Sequence, residues 1–393
     1  MTTKQWHENL KEKRIAYGLS QKKLAQASTI SRQYYNQIET GKRVPSDERK
    51  QMIEQALERF NPESPLDMMI DYVRLRFPTT DVKEVIQKTL RLKIKYFLHQ
   101  DFGYYGYSEH FVLGDIMVLV SHEEDKGVLL ELKGRGTRQF EGYLDAQGRD
   151  WYEFFMDCLI QKAVIKRLDL AINDKVGLLN IPTLTKKCAD EECISVFRSF
   201  KSYRSGELTR RDEKIGMGHT LYIGSLRSDI YLCLYQKNYE EYAKKNIPLS
   251  DTETKNRFEI RLKNERALYA LKDLLRHENP ERTAFKIINR YLRFCDKEKG
   301  KPRSEWKLND DWKLFIGENR QAMRLTTKPE PYTFDRTLRW LAHQVAPSLK
   351  IATKLDELHN TSHIKDMISK AKLKDKHITL LKQQSVSIDE IIL

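Results

Sequence analysis

The chain has 393 residues, 40% of them hydrophobic, and 70 Lys and Arg against 56 Asp and Glu give it a formal net charge of +14. At roughly 150 residues per domain, this length predicts two or three domains, and the basic balance favours an anionic partner, nucleic acid or a membrane surface. No segment approaches the roughly 20 apolar residues of a membrane-spanning helix, and the five scattered cysteines fit neither a disulfide framework nor a zinc site. We therefore expect a soluble, cytoplasmic protein without membrane insertion.

The N-terminal segment, residues 10–60, carries apolar residues at helical spacing. Ser31, a good N-cap residue, starts the second of two short helices, a pattern typical of a helix-turn-helix. The second helix of such a motif enters the major groove and addresses base edges. Its outward side chains are the candidates for base contacts: Arg32, Gln33 and Asn36. A plain module of packed helices is the alternative interpretation.

The middle of the chain changes from helical spacing to alternating strands. The polar, proline-bearing NPESP at residues 61–65 predicts a linker. Several strand-like runs follow, with the helical stretches DVKEVIQKTLRLKIKYFL and RDWYEFFMDCLIQKAVI between some of them. This mixture predicts an α+β fold with a largely antiparallel sheet and helices on one face. The predicted organisation is a helix-turn-helix domain over residues 1–60, a sheet domain over 66–296 and a helical C-terminal region over 304–393.

Three of the strands have one aliphatic and one polar face, because side chains alternate along a strand. The polar face carries Arg167, Asp169 and Asn173 in RLDLAIND, Arg257, Glu259 and Arg261 in RFEIRLK, and Tyr231, Cys233 and Tyr235 in DIYLCLYQ. If the strands are neighbours, carboxylates suited to Mg²⁺ or Mn²⁺, arginines that hold phosphate and a phenol able to attack phosphorus share one surface. The alternative is an ordinary solvated sheet face with cross-strand ion pairs.

Several long segments resemble one family, in order along the chain. They are IDYVRLRFPTTD, GVLLELKGRGTRQFEGYL, KRLDLAINDK, ECISVFRSFKSYRSGEL, GHTLYIGSLRSDIYLCLYQK, NRFEIRLKNERA and TAFKIINRYLRF. Together they resemble the MobT relaxases of integrative conjugative elements and conjugative transposons, which belong with the plasmid rolling-circle initiators of the Rep_trans (replication initiation factor) family. Residues 6–58 resemble the Cro/C1-type helix-turn-helix, with Ser28 and Thr29 where that family often has a turn glycine.

The resemblance implies a site- and strand-specific DNA nickase. In that family a tyrosine in an R-I-Y-x-K strand attacks the phosphodiester, stays joined to the 5′ phosphate and later rejoins the strand; the motif falls here on CLYQK and on Tyr235. It also implies a divalent metal ion, Mg²⁺ or Mn²⁺. The remaining implied roles are catalytic for Arg167 and Arg261, metal-ligating for Asp169, Glu259 and Asp174, and DNA-contacting for Arg138. Two positions depart from the family pattern: Asn173, where an acid is common, and Thr137, where serine or cysteine is usual.

The resemblance further implies partners. These are origin-of-transfer DNA, as duplex and as the single strand near the nick, a helicase and a type IV secretion coupling protein. No nucleotide cofactor is required, since the phosphotyrosyl link stores the energy of the broken bond. Two alternatives stay open: a plasmid rolling-circle replication initiator with the same chemistry, and a non-enzymatic helix-turn-helix transcription regulator. The helix-turn-helix favours transfer, because plasmid relatives often lack it.

Overall fold

The computed structural model describes residues 3–17, 19–58, 65–123, 125–206, 217–245, 247–317, 324–325 and 327–393. The linker predicted at residues 61–65 lies outside the described residues, apart from its last proline. Residue contacts divide the chain into two compact units. Unit 1 comprises Met1–Met69, Leu170–Arg261 and Asn279–Thr326, and unit 2 comprises Ile70–Asp169, Leu262–Glu278 and Thr327–Leu393. The domain boundaries inferred from the sequence, 1–60, 66–296 and 304–393, stay a prediction.

The helices among the described residues are α1 Thr3–Ala16, α2 Gln21–Ala27, α3 Arg32–Glu39, α4 Asp47–Glu58, α5 Val82–Glu84, α6 Arg135–Ala146, α7 Trp151–Ile160, α8 Ile181–Ala189, α9 Lys237–Lys245, α10 Asn264–His277, α11 Pro280–Tyr291, α12 Asp310–Ile316, α13 Asp335–Trp340, α14 Ala346–His359, α15 His363–Lys370, α16 Asp375–Ser385 and α17 Ile388–Ile391. Single π-helical turns follow α5 at Val85–Thr89 and precede α14 at Leu341–Val345. Among the described residues, no helix is both long and apolar enough to cross a membrane.

The strands among the described residues are β1 Leu66–Phe77, β2 Leu98–Gln100, β3 Glu109–Leu113, β4 Ile116–Val120, β5 Val128–Lys133, β6 Val164–Asp174, β7 Cys193–Ser195, β8 Phe200–Arg204, β9 His219–Ile223, β10 Ile230–Gln236, β11 Asn256–Lys263, β12 Leu292–Asp296, β13 Lys307–Leu308 and β14 Arg324–Leu325. All the strand-like runs on which the site prediction depends are strands: β6, β10 and β11. Two of the three, β6 and β11, contribute residues to both units.

The first four helices form the helix-turn-helix predicted from the sequence. Their apolar residues make one core: Leu10, Leu19, Leu24, Ala25, Tyr35, Ile38, Ile53, Ala56 and Leu57. The Ser31 hydroxyl accepts a hydrogen bond from the backbone N–H of Tyr34 at 3.2 Å, so it caps α3 as predicted. The buried Glu39 carboxylate accepts from Arg14 Nη2 at 2.6 Å and from Gln21 Nε2 at 2.8 Å. These contacts fix α3 against α1 and α2.

The turn between α2 and α3 holds a threonine in a left-handed backbone conformation. Thr29 has a φ of 54°, which a β-branched residue adopts only with strain. Ser28 is buried beside it and donates its hydroxyl to the Leu24 carbonyl at 2.8 Å. Replacing the usual turn glycine therefore has a structural cost at Thr29, since glycine adopts this φ without a Cβ clash.

We expect Thr29→Gly to stabilise the helix-turn-helix by about 1 kcal/mol, because the relief of left-handed strain exceeds the extra backbone entropy that glycine loses on folding. Hydrogen exchange of the α2 and α3 amides in the full-length protein should show about fivefold stronger protection. Lys162→Gly is the control, since Lys162 also has a positive φ, 58°, but follows α7. Weaker protection of α2 and α3 in the Thr29→Gly protein would contradict the strain argument.

The sheet of unit 2 is antiparallel and runs in the order β2-β3-β4-β5-β1. Its register pairs Arg74 with Glu131 and Tyr72 with Lys133. Helix α6 contacts β4 and β5. Four rings of α6 and α7 pack together in the core of this unit: Phe140, Trp151, Phe154 and Phe155. The helical stretch RDWYEFFMDCLIQKAVI is thus a helix over ten residues, α7, as predicted.

The helix predicted over DVKEVIQKTLRLKIKYFL is wrong in its extent. Only Val82–Glu84 and the turn Val85–Thr89 are helical before the chain turns at Arg91, which has a φ of 54°. The apolar residues of this stretch are nevertheless buried, among them Val85, Ile86, Leu90 and Leu92. The spacing of the apolar residues predicted correctly that they are buried, but burial alone does not distinguish a helix from an irregular segment.

The C-terminal helices α13 to α17 belong to unit 2 and confirm the predicted helical C-terminal region. Gln383 in α16 donates its side-chain amide to the carbonyl oxygens of Tyr96 at 2.8 Å and Val112 at 3.2 Å. Ile391 in α17 is buried. Pro347 lies in the first turn of α14, directly after the π-helical turn Leu341–Val345. The C-terminal region therefore packs on the strands of its own unit.

Unit 1 contains a sheet in the order β6-β11-β10-β9-β8 and a smaller sheet in the order β13-β12-β7. Strand β10 pairs antiparallel with β9, which places Tyr235 opposite Thr220. Rings of three elements pack together in its core: Phe258, Phe294, Trp312 and Phe315. The predicted α+β class, with a largely antiparallel sheet, is confirmed.

Candidate active site

The phenol of Tyr235 and the carboxylate of Glu259 meet in unit 1. Tyr235 Oη donates a hydrogen bond to Glu259 Oε1 at 2.8 Å. Tyr235 is partly exposed at the end of β10, whereas Glu259 lies in the middle of β11 and is 3% exposed. The polar faces predicted for these two strands therefore coincide at this point, and the sequence-predicted nucleophile contacts one sequence-predicted acid.

Arg261 holds the same carboxylate from the other side. It follows Glu259 by two residues on β11, so both side chains share a face, and its Nη2 lies 2.7 Å from Glu259 Oε2. Arg261 Nη1 also lies 3.4 Å from the hydroxyl of Tyr231. Burial alone would lower the pKa of Arg261, but the adjacent Glu259 carboxylate outweighs it and raises that pKa. Glu259 is thus a charged acceptor bridging a phenol and a guanidinium.

This arrangement has two chemical capacities. Glu259 lies within hydrogen-bond reach of the phenolic proton of Tyr235, which is the geometric requirement for a general base. The guanidinium fork of Arg261 is 22% exposed and contacts the same carboxylate as the Tyr235 phenol, so it is suited to bind the oxygens of a phosphate.

Asp169 and Arg167 form a second carboxylate–guanidinium pair, in unit 2. Arg167 Nε lies 2.9 Å from Asp169 Oδ1 and Arg167 Nη2 lies 2.6 Å from Oδ2, a bidentate contact. The Asp169 carboxylate is 2% exposed, and the Arg167 guanidinium lies 4.1 Å from the centre of the Tyr72 ring. Asp169 and Asn173 on the polar face of β6 are both buried, unlike the side chains of an ordinary solvated sheet face.

Asn173, which departs from the acid common in the family, links two charged groups. Its side-chain N–H donates to Asp67 Oδ1 at 2.6 Å, and its carbonyl oxygen accepts from Arg257 Nε at 2.8 Å. Lys175 Nζ lies 3.1 Å from the other oxygen of Asp67. An ionised aspartate at position 173 has no N–H to donate to Asp67 and would repel it. Asp67 was not singled out from the sequence, because its partner lies more than a hundred residues away.

Asp174 has contacts that favour a structural role. Its carboxylate accepts hydrogen bonds from the backbone N–H groups of the loop that follows β6, at distances of 2.8 to 3.2 Å, and from Asn256 Nδ2 at 3.0 Å. As the next residue after Asn173 on the strand, it also points to the opposite face. Its assignment as a metal ligand stays a prediction that these contacts do not support.

The candidate metal ligands do not form one cluster in the described part of the chain, where no group of three or more His, Cys, Asp or Glu side chains is arranged to hold a metal ion. Glu259 and Asp169 each face an arginine, so each negative charge is already balanced. Carboxylate oxygens are nevertheless the ligands that Mg²⁺ and Mn²⁺ prefer. The donor chemistry fits a hard cation.

A second tyrosine–glutamate–arginine set, which sequence reasoning missed, occurs within unit 2. Tyr72 donates a short hydrogen bond to Glu131, and Arg74 Nη2 lies 2.5 Å from the same carboxylate. Burial would raise the pKa of Glu131, but the hydrogen bonds from Tyr72 and Arg74 hold it below its usual value. The sequence signal is the alternation in IDYVRLRF, which places Tyr72 and Arg74 on one face. Tyr72 is 8% exposed, so it is less accessible than Tyr235.

The residues predicted to contact bases are exposed on α3. Arg32, Gln33 and Asn36 face solvent, while Tyr35 and Ile38 of the same helix are buried in its core. The Asn36 side-chain oxygen accepts from Gln21 Nε2 at 3.3 Å. The fold therefore presents the predicted face of the helix.

Arg138 is buried instead of lying at the surface. Its guanidinium donates a short hydrogen bond to the Ile70 carbonyl, and its Nη1 lies 3.0 Å from Glu141 Oε2, with side-chain exposures of 8% and 0%. Gly134 has a φ of 51° and is the N-cap directly before α6. The glycine-rich segment is thus a turn into a helix, and the DNA contact predicted for Arg138 stays a prediction that these contacts do not support.

We expect Arg138→Ala to destabilise the protein by roughly 3–5 kcal/mol, because Glu141 loses its buried cation. Burial raises the pKa of Glu141 to about 7 against the effect of Arg138. Near pH 6 the folded protein holds this carboxyl mainly protonated, whereas near pH 8.5 it must bury the charge, so the loss of stability should be larger at the higher pH. Thermal unfolding at both pH values measures this.

Arg135→Ala is the matched control, since Arg135 is the first residue of α6 and its side chain is partly exposed. Unchanged stability of the Arg138→Ala protein, together with weaker DNA binding, would instead restore the DNA-contact role.

Comparisons with known proteins agree with this architecture. The model of the replication initiation factor family matches residues 163–368, that of the rolling circle replication initiation protein N-terminal domain matches residues 67–157, and a helix-turn-helix model matches residues 10–59. The chain is 40% identical to "Putative DNA relaxase NicK" of Bacillus subtilis strain 168 over 84% of its own length and 93% of that protein. The solved rolling circle replication initiator protein of Geobacillus stearothermophilus is 26% identical, with a TM-score of 0.57 over 67% of this chain and 99% of that one.

An N-terminal helix-turn-helix in the same chain as a sheet that carries a hydrogen-bonded tyrosine beside a buried glutamate defines a DNA-acting protein of the initiator and relaxase class. The chain belongs to the replication initiation factor family. The recognition made from the sequence, a relaxase of this family with an N-terminal helix-turn-helix, is confirmed.

Proposed function

We propose that the protein nicks one DNA strand at a specific site, with Tyr235 as the nucleophile, and later rejoins it. The observation that carries this proposal is the 2.8 Å hydrogen bond from Tyr235 Oη to the buried Glu259 carboxylate. The phenol is accessible and lies in β10, the strand on which the family motif falls, and the carboxylate is a proton acceptor. The matches to a NicK relaxase and to a rolling-circle initiator support the same reaction class.

The chemistry follows from these contacts. Glu259 takes the phenolic proton as Tyr235 Oη attacks the phosphorus, and a phosphotyrosyl bond forms while the bond between phosphorus and the 3′ oxygen breaks. The proton held by Glu259 is then available to the departing 3′ oxygen. Arg261 stabilises the charge that builds on the phosphate oxygens. The number of phosphoester bonds is conserved, so the reverse reaction rejoins the strand.

A divalent metal ion belongs to the proposal, with Glu259 as its candidate ligand in unit 1; the ligand role expected for Asp169 stays a prediction. When bound, it supplies polarisation of the scissile phosphate and offsets negative charge. Mg²⁺ or Mn²⁺ suits carboxylate oxygens.

The biological role that we propose is transfer of a conjugative element, with the origin of transfer as the substrate and a helicase and a type IV secretion coupling protein as partners. The helix-turn-helix favours this role, because it supplies a reader of duplex DNA in the same chain as the nicking residues. Initiation of plasmid rolling-circle replication is the second candidate, favoured by the likeness to the Geobacillus stearothermophilus initiator. Cleavage of cloned origin-of-transfer DNA in preference to a plasmid replication origin distinguishes the two.

We expect Tyr235→Phe to abolish nicking of supercoiled plasmid, because the variant keeps the ring but lacks the attacking oxygen. Tyr239→Phe is the matched control: it loses one phenolic oxygen four residues later, on α9. DNA binding by the Tyr235→Phe protein should be unchanged in a gel-shift assay. Nicking by Tyr235→Phe at the rate of the unmodified protein would remove Tyr235 from the mechanism.

Removal of divalent metal ions with a chelator should stop nicking and leave duplex binding unchanged, because the helix-turn-helix needs no metal ion. Added Mg²⁺ or Mn²⁺ should restore nicking. Full activity of exhaustively chelated protein would contradict the metal-dependent part of the proposal.

Replacing Arg32 and Asn36 together with Ala should lower the preference for the cognate site by about tenfold or more, since each base contact contributes about 1–3 kcal/mol of discrimination. Nicking of a single-stranded substrate, which bypasses duplex recognition, should be unaffected. The double variant Lys11→Ala/Gln51→Ala is the control: both residues are exposed, on α1 and α4, and match the charge and amide removed. Equal selectivity of the two double variants would defeat the assignment of α3 as the reading helix.

A further inference from the structure

The loop between β2 and β3 in unit 2 presents three large aromatic rings to solvent. We call residues 102–107 the aromatic loop. Its Phe102, Tyr104 and Tyr105 are 53%, 47% and 57% exposed. A contiguous patch of exposed rings marks an interaction surface more often than isolated exposed side chains do. None of these residues has a part in the nicking chemistry described above.

The aromatic loop is held in one conformation by its own contacts. The buried His110 ring lies 4.9 Å from the Phe102 ring and 5.4 Å from the Tyr104 ring. The backbone N–H of Tyr107 donates to the Tyr104 carbonyl at 3.0 Å. A Cβ at Gly103 would lie 2.2 Å from the Tyr107 carbonyl oxygen, so only glycine fits this turn. The exposed rings are therefore preorganised.

Tyr105 is the most constrained residue of the loop. Its φ of 58° is strained for a bulky side chain and persists only where contacts enforce it. Its ring lies 4.3 Å from the Arg74 guanidinium, and its hydroxyl donates to Glu131 at 3.2 Å. Arg74 is in turn fixed by its ion pair with Glu131. One face of the ring thus rests on a fixed guanidinium, and the exposed remainder is open to a flat ligand.

Cationic side chains lie beside the loop. Lys133, on the same face of β5 as Glu131, is 58% exposed, and Arg74 is 24% exposed. Burial raises the pKa of Tyr107, and the nearby cations Arg76, Lys126 and Arg74 act in the opposite direction. The exposed acids Asp101 and Glu123 lie in the segments that flank this patch. Rings beside fixed cations match a ligand that carries both flat faces and negative charge.

We propose that the aromatic loop is a stacking platform for unpaired DNA bases, with Tyr105 as its central ring and with Arg74 and Lys133 beside it for phosphates. Bases offer their faces only when a strand is unpaired, so the platform should bind single-stranded DNA in preference to duplex. The inference rests on the proposed nicking function for the identity of the ligand, the strand that is unpaired at the cleavage site. The adjacent cations favour nucleic acid over a second protein chain as the occupant.

The test measures binding to a fluorescein-labelled oligo(dT) 12-mer with one central 2-aminopurine, as a single strand and as a duplex. The full-length protein carries Tyr235→Phe throughout, so that strand cleavage does not contribute. Tyr105→Ala and Tyr105→Leu remove the aromatic ring, the second at similar volume, whereas Tyr105→Phe keeps it. Tyr269→Ala is the matched control, because Tyr269 is 62% exposed on α10.

Tyr105→Ala and Tyr105→Leu should each weaken single-strand binding about tenfold, change duplex binding less than about twofold and abolish quenching of 2-aminopurine. Tyr105→Phe and Tyr269→Ala should bind as the parent does. Unchanged single-strand affinity of Tyr105→Leu would overturn the proposal, as would an equal loss for single strand and duplex. The proposal would also be overturned if DNA binding is unchanged and sedimentation shows a dimer that depends on Tyr105. That result would assign the patch to contacts with a second copy of the chain. Because nicking is not the readout, a failure of the Tyr235 assignment leaves these outcomes unaffected.

Discussion

The ion pair between Glu259 and Arg261 is the constraint on which the candidate active site depends. A carboxylate that is 3% exposed stays charged only if a cation balances it, and Arg261 does so at 2.7 Å from the next position on the same strand face. The charge on Glu259 is what makes it an acceptor for the Tyr235 proton. The proposed nucleophile, its proposed base and the guanidinium proposed to bind phosphate are therefore one connected set, and loss of the arginine would affect all three.

A buried carboxylate paired with an arginine also occurs at two other places on the sheet strands. Asp169 pairs with Arg167 two residues away, as Glu259 pairs with Arg261. Glu131 instead receives its cation, Arg74, from the neighbouring strand. In each case the carboxylate is both paired with an arginine and almost fully buried. Burial strengthens the electrostatic interactions of these groups, which favours charge stabilisation in the proposed reaction.

The elements that were predicted correctly are those indicated by patterns of neighbouring residues in the sequence. Two-residue alternation predicted β6, β10 and β11 together with their polar faces, and helical spacing with a serine cap predicted α3 and its exposed Arg32 and Asn36. The family motif predicted that Tyr235 and Glu259 share a site, and their hydrogen bond agrees with it.

The features that the sequence did not predict depend on distant partners. Nothing local indicates that Asn173 contacts Asp67, or that Arg138 is buried against Glu141. The irregular segment after α5 was predicted as a helix because its buried residues happen to follow helical spacing. Burial of the polar face was missed for a related reason: alternation shows which side chains share a face, but not what covers that face.

The most direct test of the central claim is to trap the covalent protein–DNA adduct and locate the modified residue by mass spectrometry. Trypsin releases Tyr235 in the peptide of residues 228–237, which also contains Tyr231, so fragment ions must distinguish the two. The account predicts a nucleotide on Tyr235, joined through its 5′ phosphate. An adduct on Tyr231 or on Tyr72, with Tyr235 unmodified, would contradict it.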